Sequence, residues 1–147
     1  MIEKAKKSYP DNTWIITDAS KYTSSDKFDI VFSNAAIQWI PHHESLFKKL
    51  YGFVNQRGVL AVSVPRFDEM PISKIIQKIA NEEKWKNATK GCAEAFTRYD
   101  YKFYYELIST SYQTIELWQT DYIHALESQS AIVEWTSSTG MKPYLVV

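Results

Sequence analysis

Lys27-Phe28-Asp29-Ile30-Val31-Phe32-Ser33-Asn34-Ala35-Ala36-Ile37-Gln38-Trp39 is the stretch whose reading decides the fold. Phe28 to Ser33 is a short apolar run without helical spacing, and Phe28, Ile30 and Val31 favour an extended backbone. A strand apolar on both faces suits the middle of a parallel sheet, where helices cover each side. The run stops at polar, small Ser33-Asn34-Ala35-Ala36, the carboxyl end of the strand. Ligands of open α/β sheets bind at that end.

Working outward, Pro41-His42-His43-Glu44 opens a helix with Leu46, Phe47, Leu50, Phe53 and Val54 at helical spacing, and Asn55 to Gly58 closes it. Gly58 to Val64 reads as a second buried strand, so the two strands and their helix form a βαβ unit. Upstream, Ile2, Ala5 and Tyr9 share a helical face over Met1 to Tyr9, and Pro10 ends it. Trp14-Ile15-Ile16 reads as another buried strand, stopping at Thr17-Asp18-Ala19-Ser20. Downstream, Pro71 starts a helix striped by Ile72, Ile75, Ile76, Ile79 and Ala80. Phe103, Tyr104, Leu107 and Ile108 suggest a short helix, Gln113 to Tyr122 a strand, and Ser128 or Ser130 the cap of a last helix ended by Gly140. Trp14, Ile16, Ile30, Phe32, Leu60, Val62, Ile75 and Ile79 are the expected core.

The 147 residues suit one domain, 1–147, with a lid-like insertion expected at 81–112, where the pattern is weaker and more charged. Net charge is zero, which leaves no electrostatic footprint for nucleic acid. Cys92 is the single cysteine, so no intrachain disulfide exists, and a reducing cytoplasm is the expected compartment. No apolar run reaches the length of a membrane span. Only 4 glycines are present and no Gly-x-Gly occurs, which argues against an NAD-type dinucleotide fold.

The stretch Phe28 to Glu44, with Asn34-Ala35 and Gln38-Trp39 at fixed spacing, resembles the fourth motif of class I S-adenosylmethionine-dependent methyltransferases, and within them the trans-aconitate methyltransferases. Val133-Glu134-Trp135 and Thr139 to Tyr144 resemble the late helix and following turn of that family. The resemblance implies an α/β, Rossmann-like sheet, here truncated at both ends. The first strand with its Gly-rich loop, the acidic residue after the second strand, and the last strand have no counterpart between Met1 and Val147. An incomplete sheet leaves backbone unpaired, so rearrangement or self-association is expected.

The resemblance also implies S-adenosylmethionine as cofactor. Asp18, with Ala19 beside it, matches the acidic position that accepts from the adenine amino group, against the plain reading of an Asp capping a turn. Asn34 and Ala35 stand where the methionine end would lie, against an Asx turn ending a strand. Trp39 would wall the pocket near the transferred methyl, against ordinary core packing. Arg66, His124 and Lys142 are the candidate cations for a small carboxylic acid, against solvated loop charges. His42-His43 lacks metal-ligand spacing and Cys92 lacks a base partner, so no metal and no nucleophile are expected.

The activity implied is methyl transfer to an oxygen of a small polycarboxylic acid such as trans-aconitate. Carboxylates are already nucleophilic, so in-line positioning carries the rate and no triad is needed. The competing reading is a non-catalytic, partner-binding relative. Under the first, the partners are a cofactor and a small acid, with neither nucleic acid nor membrane.

Overall fold

A computed structural model describes residues 2–97, 99–111 and 114–146. Its centre is the expected βαβ unit: β1 (Phe28–Asn34), α2 (His43–Gly52) and β2 (Val54–Ser63), preceded by α1 (Ile2–Ser8). The two strands pair in parallel, Val31 against Leu60, Ser33 against Val62 and Asn34 against Ser63. Beyond them come α3 (Pro71–Ala80), α4 (Tyr101–Ser109) and α5 (Gln129–Ser137). Short 3-10 turns at Ile37–Trp39, Phe67–Glu69, Cys92–Ala95 and Lys142–Tyr144 join these elements.

The core lies on one face of the strand pair. Ile37, Leu46 and Phe47 are buried together, and Leu60, Val62, Tyr104, Leu107 and Ile108 pack on them. The helical spacing of Leu46, Phe47 and Leu50 is what aims α2 at this cluster. Burying one such side chain contributes roughly 1.5–3 kcal/mol. α4 packs on the cluster through Tyr104, Leu107 and Ile108, its start fixed by the Asp100 carboxylate, which accepts from the Phe103 N–H at 2.8 Å. The short helix expected around Phe103 is therefore present, and it delivers the Tyr104 ring to the core.

Several expectations are corrected. The second face of the strand pair is open: Ile30 (68% exposed) and Phe32 (69%) meet solvent beside Val59, where buried strands with helices on each side were expected. α2 covers one face, and no described element covers the other. Leu60 and Val62 are half-buried as part of the core, but Ile75 and Ile79 on α3 are exposed, the buried positions of that helix being Ser73 and Ile76.

Trp14 to Ile16 is not a strand, and Ile16 is exposed. Extended propensity needs a ladder partner, and among the described residues β1 is hydrogen-bonded to β2 alone. Trp14 instead donates its indole N–H to the Tyr9 carbonyl at 3.0 Å and folds back on α1. Residues 114–122 likewise form no strand, and Leu117, Trp118 and Tyr122 are exposed; Gln113, where that strand was to begin, lies outside the described residues.

Asn55 to Gly58 does not end α2. The helix stops at Gly52, and residues 54–57 already enter β2 with a register slip between Phe28 and Ile30. Gly58 is needed for a different reason: a Cβ there would stand 2.9 Å from the Asp29 carbonyl and 2.8 Å from Val54. α5 is capped as expected at Ser128, whose hydroxyl accepts from the Ala131 N–H, but it ends at Ser137, with Gly140 two residues beyond its cap. No helix among the described residues is long and apolar enough to cross a membrane.

Candidate functional site

The corner after β1 is built by backbone strain and three hydrogen bonds. Ala35 sits at φ 49°, a left-handed conformation uncommon for any residue but glycine, asparagine and aspartate. Its N–H bonds the Ser63 carbonyl at 3.0 Å, so the carboxyl ends of both strands finish together. Gln38 then reaches back, its Nε2 donating to the Ala35 carbonyl at 2.9 Å, while its own carbonyl accepts from the Thr97 N–H at 2.8 Å.

His43 anchors the same corner from below. Its side chain is wholly buried; Nε2 lies 2.9 Å from the Ile37 carbonyl and Nδ1 2.7 Å from the Tyr104 hydroxyl. A carbonyl only accepts, so Nε2 carries the proton and Nδ1 accepts from Tyr104. The histidine that invited a metal reading is thus a satisfied core histidine joining α2, α4 and the corner. Burial pushes the Tyr104 phenol up to about 12, helped by neighbouring Tyr99 and opposed by Arg66.

Beside the corner a partly open cleft is lined by Gln38, Arg66, Asp68, Ser73, Gln77 and Tyr99, among others. Two aromatic rings line it, Phe96 and Phe67 at 5.2 Å, and Trp39 packs on Phe96 at 4.6 Å from outside the lining. Gly140 gives Phe67 its place, since a Cβ there would fall 2.1 Å from the ring.

The expected site residues divide into two groups. Asn34, Ala35 and Trp39 share the corner, Arg66 follows β2 into the cleft, and Lys142 lies two residues from Tyr144 on the cleft wall. Arg66 is not a bare cation: its guanidinium pairs with Asp68 (3.7 Å) and, more closely, with Glu69. Trp39 is partly exposed rather than core. His124 stands elsewhere, against Trp135 of α5 at 5.2 Å, and does not line the cleft.

Asp18 and Ala19 lie on an exposed turn. The Asp18 Oδ1 accepts from the Ser20 N–H (2.9 Å) and hydroxyl (2.7 Å), and those bonds hold the carboxyl below the usual carboxylate range. Lys49 of α2 donates to the Ser20 carbonyl and ties this turn to the unit. Both Ser20 bonds use Oδ1, so Oδ2 is left to accept an adenine amino group. Asn34 offers an amide at the strand end. These residues suit the two ends of a nucleoside-bearing cofactor in donor type, but neither Asp18 nor Asn34 lines the cleft.

Sequence reasoning missed Gln38, His43, Tyr99 and Tyr104 as parts of the site. The Gln38-Trp39 pair was visible, but nothing in the linear pattern joined it to Tyr104. Cys92 is buried and donates weakly to the Pro143 carbonyl at 3.2 Å, tying two turns together. Among the described residues no group of three or more His, Cys, Asp or Glu is placed to hold a metal ion.

Residues 1–62 match the methyltransferase domain family. Over 145 residues, 99% of this chain, it is 29% identical to the trans-aconitate 2-methyltransferase of Escherichia coli strain 55989 / EAEC. The trans-aconitate 2-methyltransferases of E. coli O157:H7 strain EC4115 and Shigella dysenteriae serotype 1 strain Sd197 are similar at the same identity and coverage. The chain spans 56% of the length of these relatives.

Proposed function

The chain carries part of the Rossmann-like class I methyltransferase fold, and from that premise we propose that it serves S-adenosylmethionine-dependent methyl transfer to an oxygen of a small carboxylic acid, such as trans-aconitate. The observation that carries this reading is the parallel β1–α2–β2 unit with Asn34, Ala35 and Gln38 gathered at the carboxyl ends of both strands. Ligands of such sheets bind at that edge.

In this reading Asp18 and Ala19 hold the adenine, Asn34 and Ala35 the methionine end, and Trp39 the side of the cleft near the reacting atoms. The cofactor, when bound, supplies an electrophilic methyl group. The chain's own part is to orient the acid and exclude water, which is where positioning lowers a barrier. Arg66 and Lys142 are the proposed cations for the acid's carboxylates; His124, the third candidate, stands against Trp135 and not on the cleft wall. Arg66 would exchange Asp68 or Glu69 for substrate, a like-for-like swap of carboxylates on one guanidinium. A cytoplasmic location and the absence of nucleic-acid partners go with this reading.

The test is transfer of a labelled methyl group by the chain, alone and extended to the relatives' length. Trans-aconitate, phenols, amines and RNA are compared as acceptors. Labelling of the acid alone is expected. Labelling of phenols or amines with none on any carboxylate refutes the reading.

A second reading has its own support. The open sheet face at Ile30, Phe32 and Val59 is apolar and solvent-exposed, as a surface for self-association would be. In this reading the chain is a non-catalytic, methyltransferase-like binding protein.

A further inference from the structure

Among the described residues that line the cleft, Arg66 carries the only positive charge and Asp68 the only negative one. How the guanidinium is held decides what the cleft can bind. The chain leaves β2 through Pro65 and turns at Phe67–Glu69, where the Glu69 N–H bonds the Arg66 carbonyl at 3.1 Å. A 3-10 turn sets side chains three residues apart over one another. Glu69 thereby meets Arg66 Nη2, while Asp68 stands 3.7 Å from Nε, too far for a hydrogen bond. The Nε–Nη2 edge, which a single carboxylate can take with two parallel bonds, is here divided between two carboxylates.

Those two carboxylates are not equivalent. Asp68 lines the cleft, whereas Glu69 reaches Arg66 from outside the lining, its side chain 52% exposed. Glu69 is therefore the one that water can receive on release, and Asp68 stays on the wall. An acid that met Arg66 with both in place would set a third carboxylate against one guanidinium, and like charges repel at that range. An acid that displaces Glu69 restores the balance and takes Nε and Nη2 together. Displacement is feasible because an ion pair of this exposure is weak. It still costs affinity, since Glu69 is tethered three residues away at a high effective concentration.

We propose that Glu69 is an internal competitor for the substrate's carboxylate, a specificity-determining residue that holds Arg66 in the ligand-free chain and swings into solvent when an acid binds. The assignment rests on the carboxylic-acid reading above and deepens it. The acid must bring a carboxylate free to bridge Nε and Nη2, so a neutral ester of the same shape leaves the Arg66–Glu69 pair closed.

The experiment titrates trans-aconitate, and separately its trimethyl ester, into the 147-residue chain by calorimetry. Glu69→Gln removes the competitor, and Glu83→Gln removes an equal charge from an exposed position off the cleft wall. The acid should bind Glu69→Gln about fivefold more tightly than the unaltered chain, the strength of one exposed ion pair. It should bind Glu83→Gln as it binds the unaltered chain. By carbon-13 NMR of the unaltered chain, saturating acid should move the Glu69 carboxyl resonance and leave that of Glu83 in place, and the ester should move neither. Unchanged or weaker binding by Glu69→Gln overturns the competitor role and leaves the carboxylic-acid reading standing. Equal tightening in both variants also overturns it, because a general field would then suffice. A Glu69 resonance that stays still under saturating acid does the same. Binding of no acid by any of these chains overturns both readings. Should Glu69→Gln fail to fold, the Glu69 resonance in the unaltered chain decides.

Discussion

Tyr104 joins the core to the candidate site through one proton. Its hydroxyl donates to His43 Nδ1, and His43 holds the Ile37 carbonyl, one residue before Gln38. Tyr104→Phe keeps the ring and removes the donor, leaving a buried nitrogen unpaired. The expected cost is about 1–3 kcal/mol, read as a lower denaturant midpoint at unchanged slope. The same residue sets a pH limit. Its folded pKa, about 12, lies above the unfolded value near 10. Below about pH 10 the phenol is neutral in both states and its contribution is full. As pH rises from about 10 to 12 the unfolded chain loses this proton first, so stability falls across that window. Unfolding curves at stepped alkaline pH should show the fall, and Tyr104→Phe should reduce its steepness. An unchanged slope in the variant would contradict the assignment to Tyr104.

Among the described residues, α4 and α5 are the helices whose starts rest on a side-chain cap. Asp100 accepts from the Phe103 N–H, and Ser128 from the Ala131 N–H. Asp100→Ala and Ser128→Ala should each cost about 1 kcal/mol. Their consequences should differ, because α4 packs on the Ile37, Leu46 and Phe47 cluster whereas Ile132 and Val133 of α5 are exposed. Hydrogen exchange should therefore quicken across α2 and the corner in the Asp100 variant, and stay local to α5 in the Ser128 variant. Equal, global quickening in both would show that α5 is coupled to the core more tightly than its exposure allows.

For the whole molecule, the governing feature is a two-stranded sheet with one apolar face uncovered. Its two strands have no third neighbour among the described residues, so outer edges are open as well. Such edges and faces recruit other chains. Concentration-dependent association is expected in analytical ultracentrifugation, and Phe32→Lys, on the open face, should weaken it without loss of helix signal. A chain that stays monomeric at high concentration would remove the self-association reading.

Much of this was legible in the linear chain because local rules suffice for it. The apolar run of β1, the spacing of Leu46 and Phe47, Pro71 at a helix start and Ser128 at a cap are short-range signals, and each element formed where they stand. The βαβ unit and its ligand edge followed from their order. Trp14 to Ile16 and residues 114–122 show where such rules stop: extended propensity becomes a strand only when another backbone lies alongside, and that is a tertiary fact. Burial of Ile30 and Phe32 failed for the same reason, since an apolar residue is covered only if an element is there to cover it. The site divides likewise. Asn34, Ala35, Gln38 and Trp39 are neighbours in sequence, so the sequence alone determined that they share a corner. That His43 is a core anchor, that Tyr104 crosses 61 residues to meet it, that Arg66 is already paired, and that Gln38 is left with an unmet acceptor among the described residues were decided only by the packed chain. Hydrogen-bond satisfaction is a property of neighbours in space.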